Sequence, residues 1–251
     1  MNNTLVIQSH RSPLPFVWIE HCMASVRHWC EANHYEYRFM GDELFDCVAE
    51  PLLRKTEHQR VIATDIARLL VIRDALDQGY QRVVWFDADF LIFSPSTFVL
   101  SNAPYLLGRE TWVQFDKNNK LKVYKKVHNA FLLFQQGNSF LDFYIETATR
   151  LLTQNTGTVP PQFIGPKLLT ALHNVASLPV MESAGMLSPL VIKDIVMGKG
   201  DALSLFIKHS PCAIAAANLC TSSCEREEVS EGEMERLISI LRTKQAISLL
   251  G

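Results

Sequence analysis

Leu5-Val6-Ile7 is a short apolar run that gives way to polar Gln8-Ser9-His10-Arg11, and it reads as a first buried strand. Pro13 to Asn33 carries helical spacing through Phe16, Ile19, Met23, Val26 and Cys30. Tyr35 to Met40 alternates as a second strand and stops at Gly41-Asp42. From about Gln59 to Gln78, Ile62, Ile66, Leu69, Leu70 and Ile72 point a helix towards a core, and Gly79 stands where a C-terminal cap belongs. Val83-Val84-Trp85-Phe86 is a continuous run of strand formers, the pattern of a strand covered on both faces.

Strand, helix, strand, helix, strand is the order of a parallel sheet with crossover helices. The middle of the chain changes character. Trp112 to Phe115 and Leu121 to Val127 read as strands joined by a turn at Asn118-Asn119, and Asn129 to Phe134 as another. From Ser139 onward the pattern is mostly helical, over about 139–153, 165–174, 189–197 and 231–248. Ser230 with Glu233 makes a capping box for the last of these. No repeat, low-complexity tract or linker divides residues 1–251. The expectation is one α/β domain: a central, mostly parallel, Rossmann-related sheet, an antiparallel extension and a helical C-terminal part.

Composition narrows the functional classes. With 24 basic and 26 acidic residues the net charge is −2, and a nucleic-acid binder shows a basic excess instead. No apolar run reaches the ~18 residues of a membrane helix; the longest uncharged stretch, Phe90 to Gly108, is broken by Ser94, Pro95, Ser101, Asn102 and Pro104. The first residues lack the basic and apolar regions of a signal peptide. Six cysteines are too sparse for a disulfide scaffold. These features point to a cytoplasmic protein with reduced thiols and at most a peripheral contact at the inner face of a membrane.

The sharpest chemical feature is Trp85-Phe86-Asp87-Ala88-Asp89-Phe90-Leu91-Ile92-Phe93. In extended backbone, residues i and i+2 share a face, so Asp87 and Asp89 are expected to converge while Ala88 points away. Two ionised carboxylates so placed repel unless a cation or donor compensates. Magnesium or manganese, held by one or two carboxylates and completed by substrate phosphates, is the natural compensation. Open parallel sheets also bind ligands beyond the carboxyl ends of their strands. Alone, a D-x-D reads as a strand ending in a solvated acidic turn; the apolar runs on both sides favour a site.

Upstream, Asp65 and Arg68 lie i, i+3 on one helix face. Alone they would be a surface ion pair of ~0.2–0.5 kcal/mol; the D-x-D ending the next strand gives them a second reading. The run TDIARLLVIRDALDQGYQRVVWFDADFLIF, Thr64 to Phe93, resembles the nucleotide-sugar-binding core of GT-A-fold glycosyltransferases. It is most similar to groups with a D-x-x-R … D-x-D signature, the yeast initiating mannosyltransferase and clostridial-toxin glucosyltransferase types. The resemblance continues at Val127-His128-Asn129-Ala130-Phe131-Leu132 and at Ile164-Gly165-Pro166-Lys167-Leu168-Leu169-Thr170, spanning roughly residues 60–175. The stretch between Arg68 and Asp87 is longer than in those groups and closer to the galactinol and glycogenin type. The family's C-terminal His–Trp element is reduced to Lys208-His209-Ser210.

The resemblance implies metal-dependent transfer of a hexose from a nucleoside-diphosphate sugar to a saccharide or glycolipid acceptor in surface-polysaccharide or glycolipid assembly, with a lean towards retention. Asp87 would contact the ribose and, with Asp89, hold Mn2+ or Mg2+; His209 would be a late metal or diphosphate ligand. Asp65 and Arg68 would touch the donor sugar, Asn129 would face its anomeric carbon, and Gln8, Ser9 and His10 would lie by the base. Lys167 joins the donor-binding set. Two rival readings remain: a non-catalytic nucleotide-sugar binder of the same fold, and a haloacid-dehalogenase-like phosphatase, whose D-x-D normally ends the first strand. Lys117, Lys120, Lys122, Lys125 and Lys126 read as a solvated edge ribbon that keeps sheets apart, with an acidic acceptor or a membrane surface as the alternative.

Overall fold

The structure, a computed structural model, describes residues 3–243. A six-stranded sheet forms its centre: β1 (Thr4–Ser9), β2 (Glu36–Met40), β3 (Arg82–Asp87), β5 (Tyr105–Phe115), β6 (Leu121–Gln135) and β7 (Val180–Met181), with β4 (Phe90–Ile92) standing outside it. The order is β2-β1-β3-β6-β5-β7. β1 pairs in parallel with both β2 and β3, whereas β6 runs antiparallel to its neighbours β3 and β5. β7 is parallel to β5, so β6 alone opposes the common direction. The sheet is therefore mostly parallel with an antiparallel insertion, as the strand–helix alternation predicts.

Helices cover both faces. On one, α3 (Arg60–Asp77), preceded by the short α2 (Glu50–Thr56), packs with α4 (Ser139–Gln154) and α5 (Pro166–Ala176) over Leu5, Ile7, Val83, Trp85, Leu132 and Phe134. On the other, α1 (Trp18–Asn33) places Val26, Trp29 and Cys30 against Val6, Val84, Phe86, Phe131 and Leu133. Alternate residues of β1 and β3 thus face two different cores, which explains their uninterrupted apolar sequence. A third core gathers the first turns of α1 with α6 (Pro189–Met197), α7 (Asp201–His209) and α9 (Glu231–Leu241). Between them lies a small sheet, β4-β9-β8, in which β8 is Ala184–Met186 and β9 Ala216–Asn218, followed by the one-turn α8 (Thr221–Glu225).

Several boundaries differ from the sequence reading. α1 starts at Trp18 rather than Pro13, because Pro13 and Pro15 bias the residues before them away from helical backbone. Trp112–Phe115 is only the end of an eleven-residue strand. Leu121–Val127 and Asn129–Phe134 are one strand, interrupted on its β5 side by a bulge: Leu107 pairs with Leu132 but Gly108 with His128, which leaves Asn129, Ala130 and Phe131 without β5 partners. α7 carries no sequence expectation, although Ala202, Leu203 and Phe206 bury its inner face. The helix capped by Ser230 and Glu233 runs to Leu241, with both capping-box bonds formed; positions 244–248 of the expected helix lie outside the described residues. Gly79 does cap α3: at φ +104° it lets its own N–H reach Leu76 O and the N–H of Tyr80 reach Ala75 O.

Candidate functional site

β1 and β3 end side by side, with Ser9 in register with Asp87. Beyond these ends, β6 and β5 continue as a hairpin whose turn is closed by Asp116, which accepts from the N–H groups of Asn118 and Lys120. The wall this hairpin makes, the end of β3, the start of α3 and the β9–α8 segment enclose one cleft of about 980 Å³.

Its floor is a buried charge network. Arg68 points from α3 across the top of β3, its guanidinium 5.2 Å from the Trp85 ring. Nη1 lies 2.9 Å from Asp87 Oδ1 and donates to the Asn129 carbonyl at 2.6 Å; Nη2 lies 3.2 Å from Asp65 Oδ1. Asn129 Nδ2 donates to the same Asp65 oxygen at 2.7 Å. The β6 bulge makes this possible, since it turns Asn129 towards α3 instead of leaving it on the strand's regular alternation. Gly165, at the start of α5, closes the group: a Cβ there would lie 2.5 Å from Asp65 Oδ2 and 2.8 Å from Asn129 Nδ2. Only glycine leaves room. Asp65 Oδ2 is buried without a hydrogen-bond partner among the described residues.

Electrostatics follow from this burial. Desolvation pushes the Asp65 carboxyl up to about 6, against the pull of Arg68 and Asn129. Asp87 is also raised, first by desolvation and then by Asp89, with Arg68 opposing. Burial alone would lower Arg68, but Asp87 and Asp65 more than restore its charge. His128, wholly buried beneath Gly108 and beside Ala184 O, is lowered to about 4 by desolvation.

Asp87 and Asp89 do not lie on one extended strand. The strand ends at Asp87 and the chain turns at Ala88-Asp89, so the two carboxylates take different partners. Asp87 Oδ1 accepts from Trp85 Nε1 at 2.8 Å as well as pairing with Arg68. Asp89 Oδ1 accepts from Asn218 Nδ2 at 2.5 Å, and Oδ2 from the Thr221 N–H at 2.7 Å and its hydroxyl at 2.8 Å. Both residues nevertheless line the cleft. Among the described residues no group of three or more His, Cys, Asp or Glu is gathered tightly enough to cage a metal ion. Among the described residues no group donates to Asp87 Oδ2, and its side chain is 28% exposed. This donor set fits a hard cation that takes one or two carboxylate oxygens here and the rest from phosphate and water.

The other sequence-selected residues separate. Ser9 and His10 line the cleft. Gln8 is buried and turned sideways, donating to the Asp87 carbonyl at 3.1 Å and accepting from the Tyr37 hydroxyl, so it braces strand ends. Lys167 is exposed on the first turn of α5, and His209 sits at the end of α7; neither is among the cleft's lining residues. The sequence reading missed Trp112, Gln114, Asn218 and Thr221 as lining residues. Lys126, which read as part of an edge ribbon, pairs with Glu110 at 3.1 Å inside the cleft. Asn218 ends a three-residue strand, too short to show a period, and Thr221 follows it.

No protein-family model matches the sequence, and no curated protein matches it. Solved structures do align along nearly its whole length. A glycosyltransferase involved in glycosylation of the major capsid of PBCV-1 is 12% identical, with 93% of this chain and 99% of that one covered and a TM-score of 0.49. The galactosyltransferase LgtC, solved with donor and acceptor sugar analogues, is 10% identical over 98% of this chain and 100% of that one, TM-score 0.47. The apo-form glycosyltransferase GlyE of Streptococcus pneumoniae TIGR4 is 10% identical, TM-score 0.49; all of this chain aligns with 64% of its length. Among the described residues, no helix is long and apolar enough to cross a membrane.

Proposed function

We propose that this chain is a GT-A-like, metal-dependent glycosyltransferase, working as a single domain, that moves a hexose from a nucleoside-diphosphate sugar to an acceptor hydroxyl. The observation that carries the reading is the Asp65–Arg68–Asp87–Asn129 network at the carboxyl end of the central strands. Hydroxyl-rich ligands need such a set of fixed, desolvated acceptors and donors. The buried Oδ2 of Asp65 lacks a donor, and a sugar hydroxyl reaching it would supply one.

Asp87 Oδ2, with Asp89, would hold the divalent cation. When bound, Mn2+ or Mg2+ supplies charge stabilisation for a leaving diphosphate. Arg68 fixes Asp87 and adds a positive charge that needs no reorganisation. Ser9 and His10 would flank the nucleotide, and Asn129, held by Asp65, would face the sugar near its reacting carbon. Glu110 is the one acid of the β5 wall, and it is engaged by Lys126. That favours retention, with the leaving phosphate taking the acceptor proton. A phosphatase with Asp87 as nucleophile is disfavoured, since the D-x-D ends the third strand of the chain and not the first. Surface-polysaccharide or glycolipid assembly is the proposed setting, on the cytoplasmic side.

A thermal-shift titration with uridine and guanosine diphosphates tests the reading. At 100 times its dissociation constant the ligand should add ~2.7 kcal/mol of stability, with manganese or magnesium present and not in chelator. Absence of any nucleotide effect would remove the transferase and the binder readings together. Asp65→Asn should weaken a nucleotide-sugar roughly ten- to a hundred-fold, the cost of one charged hydrogen bond, and spare the bare diphosphate.

A further inference from the structure

We propose that the β5 wall of the cleft, centred on Trp112, is a saccharide subsite that takes a pyranose ring of the acceptor. The proposal rests on the reading that the Asp65–Asp87 end takes the nucleotide-sugar.

Four observations converge. The cleft is continuous from Asp65 and Asp87 to Trp112 and Gln114. Its volume of about 980 Å³ is at the upper end of single-ligand pockets, about 300–1,000 Å³, and leaves space beside a donor. Of the four tryptophans, Trp18, Trp29 and Trp85 are at most 1% exposed, whereas Trp112 is half-buried and belongs to none of the three apolar cores. Its indole is not a core filler. Finally, polar groups flank it in strand register. Glu110 and Gln114 lie two residues either side on the same face, and Lys126 is directly opposite Glu110.

The chemistry matches a sugar ring. One face of a pyranose is a patch of C–H groups carrying slight positive charge, which the electron-rich face of an indole attracts while shielding it from water. Around that ring, hydroxyls need planar acceptors and donors at fixed positions. Trp112 Nε1 donates to Gln114 Oε1 at 2.9 Å, and Lys126 donates to Glu110 at 3.1 Å. These bonds hold the indole and its polar neighbours in place before any ligand arrives. On the reverse of the strand, Val113 packs into the C-terminal core, which keeps the wall rigid.

Saturation-transfer NMR with methyl glucoside, lactose and maltose, together with calorimetry of manganese plus uridine or guanosine diphosphate, tests the subsite. At least one saccharide should give transfer to the wild type. Trp112→Ala should weaken it about tenfold, the equivalent of an aromatic contact, and Trp112→Phe should largely restore it. Nucleotide affinity should stay within about twofold in both variants, since Trp112 is none of the residues assigned to the metal or the base. Equal saccharide binding by wild type and Trp112→Ala, or no saccharide transfer at all, overturns the proposal even where nucleotide binds. Saccharide binding that depends on Trp112 without nucleotide binding supports the subsite and overturns the donor reading alone.

Discussion

Arg68 Nη1 lies 2.9 Å from Asp87 Oδ1, joining the middle of α3 to the last residue of β3. Both the guanidinium and its second partner, Asp65, are almost fully buried, with 4% and 3% of their side chains exposed. The pair is thus a floor for the cleft rather than a surface ornament, and its loss has a calculable cost.

Arg68→Met leaves two carboxylates without their cation. Breaking a buried pair by removing one partner costs about 3–5 kcal/mol. The urea midpoint should drop accordingly at pH 7, and the deficit should shrink at pH 5, where the raised carboxyl of Asp65 takes up a proton. A pH-independent deficit would mean that lost packing, not stranded charge, dominates.

Gly165→Ala probes the close approach behind Asp65. Its φ of −92° suits any residue, so the cost is steric: a methyl 2.5 Å from Asp65 Oδ2. Overpacking of this kind costs about 1–3 kcal/mol. Because Asp65 and Asn129 are displaced, nucleotide-sugar affinity should fall further than that of the bare diphosphate in parallel calorimetric titrations.

Asp89 has two duties to separate. It anchors the β9–α8 turn through Asn218 and Thr221, and it is a proposed metal ligand. Asp89→Asn replaces an acceptor by a donor facing the Thr221 N–H, and should cost about 1.5–3 kcal/mol in chelator as well as in manganese. If stability changes only with metal present, the anchoring role is wrong.

Asp65 and His128 act on stability in opposite directions. Asp65 is raised from 3.8 to about 6 in the fold, so between those values the native state binds more protons and stability falls as pH rises. His128 is lowered from 6.5 to about 4; there the unfolded state binds more protons, and stability rises with pH. The two partly cancel between pH 4 and 6.5. Asp65→Asn removes the first contribution, so across that window its stability should climb relative to the wild type by on the order of 3 kcal/mol. His128→Gln should show the reverse slope. Denaturant unfolding at half-unit pH steps reads both.

The sequence by itself determined the elements whose signal is local. Val83–Phe86 is buried on both faces because every side chain in it is apolar, α3 shows its core stripe, and Ser230 and Glu233 announce their helix. It also placed Asp87 at a strand end and Asp65 with Arg68 on one helix face. Tertiary structure alone decided what these residues touch. Asn129 meets Asp65 across 64 residues, and Asp89 meets Thr221 across 132. It also turned Gln8 aside, left Lys167 and His209 out of the cleft lining, and brought Trp112 into it. Periodicity reports how one segment divides between core and solvent. It does not encode how a bulge of three residues or a turn after Asp87 aims a side chain at a distant partner, because those directions are set by where separate elements pack.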